Sequence, residues 1–386
     1  MYQIVPMGYN GKKKRENKKR KIKMSFLTKK IFDFAGTAMG LDLNDLTVRV
    51  IQFEREGRKD RLVGYASASI APGSVSDGEI LKKDQVIAAI HNALEKAGPD
   101  KIKSKKVICS LPETKAFLRI ISIPKMEKKE AREAIKWEIE ANIPLALDQV
   151  YYDWQILDEN ISAEKNKMDV LVVAISKKTV DQFMEVLEGA GLEVVGLEIE
   201  SVAQARSLLA SGNNGGAVLI IDFDERRTGF FIASKGTPCF TSSIPVSSQS
   251  LNDSISKTLS VSLADAEKTR FSHGIGSDFK NSDIFFAVKP VLENLISEIE
   301  RSIDFFLSEL KYSGSVDEII ICGKEAATKG IVPYVSKRLG KKVVLGDPWV
   351  NVNIGRKLPE IERNLSVEYA TAIGLALKGL NYEDIS

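Results

Sequence analysis

Histidine is scarce in this chain. There are only two, His91 and His273. The first falls in a helical pattern and the second in a polar loop, so neither is assigned a catalytic part. Cysteine is nearly as rare: Cys109, Cys239 and Cys322 are odd in number and far apart. That spacing excludes a disulfide framework and a zinc site, and it fits a reducing cytoplasm. Cys109 and Cys322 each end an apolar run and read as buried core thiols. No apolar run reaches the roughly 18 residues that a membrane-spanning helix needs.

What is present suits a globular protein of more than one domain. The chain has 386 residues, 44% hydrophobic and 28% charged, enough for two or more real cores. Its net charge of +3 is unevenly placed. Residues 1–30 hold eleven Lys/Arg against Glu16 alone, a net of +10, which leaves −7 for the remainder. The body is therefore mildly acidic, and no nucleic-acid partner is expected. Residues 1–23, with Lys12-Lys13-Lys14-Arg15 and Lys18-Lys19-Arg20-Lys21, read as a disordered basic arm. Met24 stands as an alternative start, which would leave the arm untranslated. From Ser25 to Phe34, Leu27, Ile31 and Phe34 share one helical face. Peripheral membrane contact and packing on its own domain are both open readings of that segment.

Two hairpins organise the rest. Ala217-Val218-Leu219-Ile220-Ile221-Asp222 is a buried strand ending in an aspartate, followed by a polar turn and Phe230-Phe231-Ile232-Ala233 running back. The same arrangement occurs earlier, where Gly40-Leu41-Asp42 turns through Leu43–Thr47 into Val48–Phe53. Two Asp-ended hairpins at the heads of two halves suggest a duplicated fold with a cleft between them. In such a cleft turn amides face phosphate and an aspartate holds a metal or a water. Each hairpin alone reads more readily as an ordinary turn capped by its Asp.

Along the chain, strands are expected at 39–42, 46–53 and 62–70, with a turn at Gly57. A helix over 84–97 is stopped by Gly98-Pro99. Residues 103–200 form a self-contained α+β pattern. It has strands at 106–111, 117–123, 150–157, 168–176 and 193–198, with helices over 128–142 and 178–190. The 128–142 helix ends at Ile143-Pro144. A further helix, 201–210, opens on Ser201 as its N-cap. Ser211–Gly216 is a glycine-rich linker and the clearest domain boundary. The second half continues with a strand at 239–244, helices over 248–259, 263–271 and 284–310, and a buried strand 318–322. That strand runs into Gly323-Lys324-Glu325. A helix 330–339, a strand 342–345 and an Ala-rich helix 366–377 close the pattern.

The order of these pieces resembles the PilM family, actin-like proteins of type IV pilus assembly related to the cell-division protein FtsA. The resemblance covers roughly residues 38–380. It rests on Ser110-Leu111-Pro112, Arg119, Ile123-Pro124, Ile143-Pro144 and Asp153 in order, and on Asp169–Ala174, Ala190-Gly191-Leu192 and Ala264-Asp265-Ala266-Glu267-Lys268. It implies a two-lobed α/β actin-like ATPase fold of duplicated RNase H-like halves, with an α+β subdomain inserted in the first lobe. The implied division is an N-terminal arm 1–35, subdomain one 36–102, the insert 103–200 and a return helix and linker 201–213. The second lobe would span 214–360, and a C-terminal helix 361–386 would pack on the first lobe.

The resemblance also implies ATP and Mg²⁺ in the cleft. Asp42 and Asp222 would be the phosphate-turn aspartates, with Asp222 the candidate for holding Mg²⁺ through water. Asn44 and Thr228 would lie in the same turns, Glu267 and Lys268 on the adenosine-side helix, and Gly323 and Lys324 in the adenosine motif. Where the family carries glycine, however, this chain has Asn44, Asp224, Ser247, Ser248 and Lys324. Glycine there lets backbone approach a phosphate or ribose and permits positive φ. Asp224 instead brings a negative charge, a repulsion of order ~1 kcal/mol or more. Lys324 either compensates that charge or fills the adenine pocket with its stem. ATP affinity is therefore expected to be weakened or lost.

The partner implied is the N-terminal cytoplasmic peptide of a PilN-like inner-membrane protein, held in a groove between residues 36–102 and 103–200. Other pilus motor components and self-association are further expectations. The place implied is the inner face of the cell membrane, peripherally, and the part is a scaffold with no residue singled out to activate water. Two alternatives are an FtsA-like division tether and, more remotely, a sugar-kinase-like enzyme. The short acidic tail 379–386 argues against the first and the missing glycines against the second.

Overall fold

The computed structural model describes residues 37–143, 145–157, 161, 166–211, 216–275, 283–309, 312, 314–353, 361 and 363–380. The basic arm, the 25–34 segment, Pro144 and residues 212–215 of the linker lie outside these. No described helix is long and apolar enough to cross a membrane.

Alternating apolar residues open the first lobe. β1 (Met39–Leu43), β2 (Thr47–Glu56) and β3 (Lys59–Ser69) form an antiparallel meander. A small hairpin follows, β4 (Val75–Ser76) with β5 (Glu79–Ile80), then helix α1 (Lys83–Lys96), β6 (Gly98–Pro99) and β7 (Lys106–Leu111). The chain then leaves the sheet to build a separate layer of β8 (Ala116–Pro124), α2 (Lys128–Asn142), β9 (Val150–Ile156) and β10 (Lys167–Ser176). It returns through α3 (Lys177–Gly189) to β11 (Glu193–Ile199) and α4 (Glu200–Leu208). The lobe's sheet runs β11-β7-β1-β2-β3-β6, with β7 parallel to both β1 and β11. The inserted layer is an antiparallel sheet ordered β8-β10-β9. Ala131, Ile135 and Ile139 of α2, four residues apart, bury against Ile121, Ile123, Val170 and Val172.

The second lobe repeats the plan. β12 (Ala217–Phe223), β13 (Thr228–Ser234) and β14 (Thr237–Ile244) form the meander, and α5 (Ser248–Leu259), α6 (Leu263–His273) and α7 (Asp283–Glu309) follow. Then come β15 (Val316–Cys322), α8 (Ile331–Leu339) and β16 (Lys342–Leu345). The sheet runs β14-β13-β12-β15-β16, with β15 parallel to β12 and to β16. Both sheets thus have an antiparallel meander on one side of a first strand and two parallel strands on the other. That is the duplication the two Asp-ended hairpins suggested.

The chain finally crosses back through α9 (Arg363–Ser366) and α10 (Ala370–Leu380), and every residue of α10 is buried. Its contact with α4 is backbone on backbone. A Cβ on Gly374 would lie far inside van der Waals distance of the Ala203 carbonyl. The three cysteines are buried and unpaired.

Several local expectations need correction. Gly98-Pro99 does not cap α1: Ala97 ends that helix, and Gly98-Pro99 pairs with β3 as an edge strand. Ser201 is not an N-cap, because α4 begins one residue earlier, after Ile199. Its first turn is capped from elsewhere: Ser201 N–H donates to Glu113 Oε2 at 3.1 Å, and Glu113 N–H to Glu200 Oε2 at 3.2 Å. A long-range partner does what a local serine was expected to do. The final helix starts at Ala370 and not Ser366, with a separate short turn of 3-10 helix over Val367–Tyr369 before it.

Candidate functional site: the cleft between the lobes

Asp42 and Asp222 occupy equivalent places, near the ends of β1 and β12, and both face the space between the lobes. Asp42 accepts from Ser110 Oγ at 2.9 Å and from Arg49 Nη1 at 3.4 Å. Asp222 accepts from Gln204 Nε2 of α4 at 2.6 Å, an interlobe bond. Gln204 also donates to Thr371 Oγ1 at 3.0 Å and so ties the crossing segment to the same point. A cavity of about 100 Å³ opens here, and its wall includes Glu113, Glu200, Asp222, Asp224 and Arg227.

That wall is rich in carboxyls, and each weakens its neighbours' acidity. Burial, then the charge of Asp224, pushes Asp222 up to about 7. Burial first, then Asp42 and Glu113, holds Glu200 well above the ordinary carboxylate range. Burial also raises Asp42 and Glu113. The counter-charge is Arg49, 4% exposed, which stands 3.4 Å from Asp42, 3.7 Å from Glu368 and 4.0 Å from Asp224. Burial works against its charge, but Asp224, Asp42 and Glu368 outweigh burial and raise it.

The non-glycine residues of the turns are all engaged. Asn44 Oδ1 accepts from Leu46 N–H at 3.0 Å, Thr47 N–H at 2.8 Å and Thr47 Oγ1 at 3.0 Å. Its Nδ2 crosses the cleft to Asp224 Oδ2 at 3.1 Å. Ser247 caps α5 by accepting from Ser250 N–H at 3.2 Å. Ser248 donates to Glu325, which also accepts from the fully buried Arg270. Lys324 Nζ donates to Glu225 Oε1 at 2.5 Å and Glu267 Oε1 at 3.0 Å. The expectations for Asp224 and Lys324 change accordingly. Asp224's charge meets Arg49 and Asn44. Lys324 Nζ pairs with Glu225 and Glu267 rather than with Asp224.

The remaining candidates separate. Gly323 has φ +84°, and a Cβ there would stand 2.5 Å from Asp222 Oδ1, so only glycine lets β15 end this close to β12. Thr228 is fully buried, and its hydroxyl donates to the Val246 carbonyl at 2.7 Å. Lys268 is exposed on α6. Sequence reasoning missed Arg49, Gln204, Glu200, Glu113 and Glu368 as members of the cleft. Arg49 alone left a signal: an arginine between Val48 and Val50 interrupts an apolar strand.

Glu113 Oε1 and Asp224 Oδ1 are buried acceptors that take no hydrogen bond among the described residues. A phosphate alone would leave them unmet, because its oxygens are acceptors too, whereas the waters of a hydrated Mg²⁺ would supply donors to both. Among the described residues no three acidic, histidine or cysteine groups converge as a metal site.

A family model described as "Type IV pilus assembly protein PilM" matches residues 40–380. The chain belongs to the PilM family. Among solved structures, this PilM-family chain is similar to one titled a PilM–PilN type IV pilus biogenesis complex, at a TM-score of 0.75 and 24% identity over 89% of this chain and 99% of that one. It is also similar to the ethanolamine utilization protein EutJ from Carboxydothermus hydrogenoformans, at a TM-score of 0.53 and 18% identity over 90% and 92%. A third is MreB 5 of Spiroplasma citri bound to AMPPNP, at 0.52 and 14% over 89% and 96%. The fold is the actin-like ATPase fold, two lobes of mixed sheets, as the sequence led us to expect.

Proposed function

We propose that the chain is a non-catalytic scaffold of type IV pilus assembly that holds the N-terminal peptide of a PilN-like inner-membrane protein. The observation behind this reading is family membership across 40–380, joined to the likeness to a chain solved in a PilM–PilN complex. The groove between subdomain one and the insert is where the peptide would lie. α3 spans that seam: Lys177 Nζ donates to the Asp148 carbonyl at 2.6 Å on the insert side, and Gln182 Nε2 to the Ile80 carbonyl at 3.4 Å on the other. Leu81, 56% exposed, and Leu145, 42% exposed, flank these anchors in sequence and offer apolar contact to an extended peptide. Such a partner would hold the protein at the inner face of the membrane.

ATP plays a weakened part, or none, in this reading. Self-association and other motor components remain compatible with it. Calorimetry with a synthetic PilN-like N-terminal peptide tests the proposal. Binding of equal strength with and without Mg-ATP is expected, weakened by Leu81→Asp. No binding under either condition would end it.

A further inference from the structure

We propose that the cleft is held shut by the protein's own side chains, with Asn44 and Asp224 acting as a latch between the lobes. These two residues occupy the same place in the two duplicated hairpins, each two positions beyond the strand-ending aspartate. Asn44 suits the task for a specific reason. Its carbonyl oxygen takes three hydrogen bonds from its own turn, which fixes the side chain and points Nδ2 across the cleft. An aspartate there would keep the turn but lose the donor; a glycine would lose both.

Asp224 is equally prepared. Its own backbone N–H donates to the Arg227 carbonyl at 3.2 Å, and its carbonyl accepts from Ser248 N–H at 3.1 Å. Arg49 lies behind the pair, held by Asp42 and Glu368. A second clasp joins Arg227 of the second lobe to Asp77 of the first at the outer rim, and a third joins Gln204 to Asp222 at the floor. Lys324, pinned by Glu225 and Glu267, fills the flank within the second lobe.

The consequence is a closed state that needs no nucleotide. An anion between the turns would have to displace Asn44 from Asp224 and face the freed carboxylate. Charge-assisted bonds inside a partly buried cleft are the strong ones, and here they already join protein to protein. The lobes are then a fixed platform.

Interlobe distance tests this directly. Spin labels at Lys96→Cys on α1 and Lys257→Cys on α5 report on one lobe each, and the native cysteines are buried. Pulsed electron-electron resonance is expected to give one narrow distance that Mg-ATP does not move. In the Asn44→Gly/Asp224→Gly protein the peak should broaden and shift to longer distances. Should that protein fail to fold by circular dichroism, Asn44→Asp, which keeps the turn's acceptors, should give the same opening at pH 8. A broad wild-type distribution that narrows with Mg-ATP would overturn the proposal, as would variants that open no further than wild type. The measurement contains no peptide, so its failure and that of the scaffold reading are separately visible.

Discussion

Asp222 makes stability depend on pH in a direction opposite to most carboxylates. Its ordinary value is 3.8, and the folded cleft raises it to about 7. The folded state therefore keeps the proton where the unfolded chain releases it. Stability from this group is full below about pH 4, falls as pH rises, and is lost once pH passes about 7. Between pH 5 and pH 8 the loss is up to about 2–3 kcal/mol. Asp222→Asn removes the titration and keeps an oxygen for Gln204 Nε2. The variant also relieves Glu200, which the Asp222 charge helps to raise, and that adds in the same direction. Urea denaturation followed by circular dichroism, at pH 5 and pH 8, measures it. The variant should gain on wild type by that amount over the interval, with unchanged m-value. A difference that stays flat, or a wild type that gains on the variant as pH rises, would refute the idea that Asp222 is forced toward its neutral form.

Three further outcomes follow from the packing and the cleft. Gly374→Ala drives a methyl into the Ala203 carbonyl and should cost about 1–3 kcal/mol, read as a fall in the urea midpoint. Arg270→Ala strands the buried Glu325 and should cost about 3–5 kcal/mol, whereas Arg270→Met/Glu325→Leu should recover much of it. Wild-type melting temperature should not rise with millimolar Mg-ATP, because a latched cleft gains no ligand stabilisation; a concentration-dependent rise measured by scanning calorimetry would contradict this.

The frame was legible because strands and helices here obey their periods. β7, α2, α5 and β16 lie where the apolar spacing placed them, and the repeated Asp-ended hairpin announced the duplication. Features set by long-range partners were not legible. α4 is capped by Glu113, 88 positions away, and no local pattern reports that. The consequence of Asn44 was equally hidden. Its side chain suited the turn, but its partner Asp224 lies 180 positions on, and only the assembled lobes bring the two together. Arg49 is intermediate. An arginine inside an apolar strand signals a buried charge with a partner, although sequence cannot say which acid answers it.

The cleft illustrates how a site can keep its frame while its wall changes character. Gly323 still permits β15 to end against Asp222, and Asp42 still sits opposite, so the geometry of two turns facing each other persists. What fills the space between them differs in kind. Glycine amides would present donors, and an anion between them would be the natural occupant. Asn44 and Arg49 meet Asp224 across the cleft, while Lys324 is held by Glu225 and Glu267. Opening the cleft would strand Asp224 and leave Arg49 with fewer acids. In the proposed latch the lobes, joined by the crossing helix α10, move as one body, and the seam beside the insert is the surface proposed for the partner.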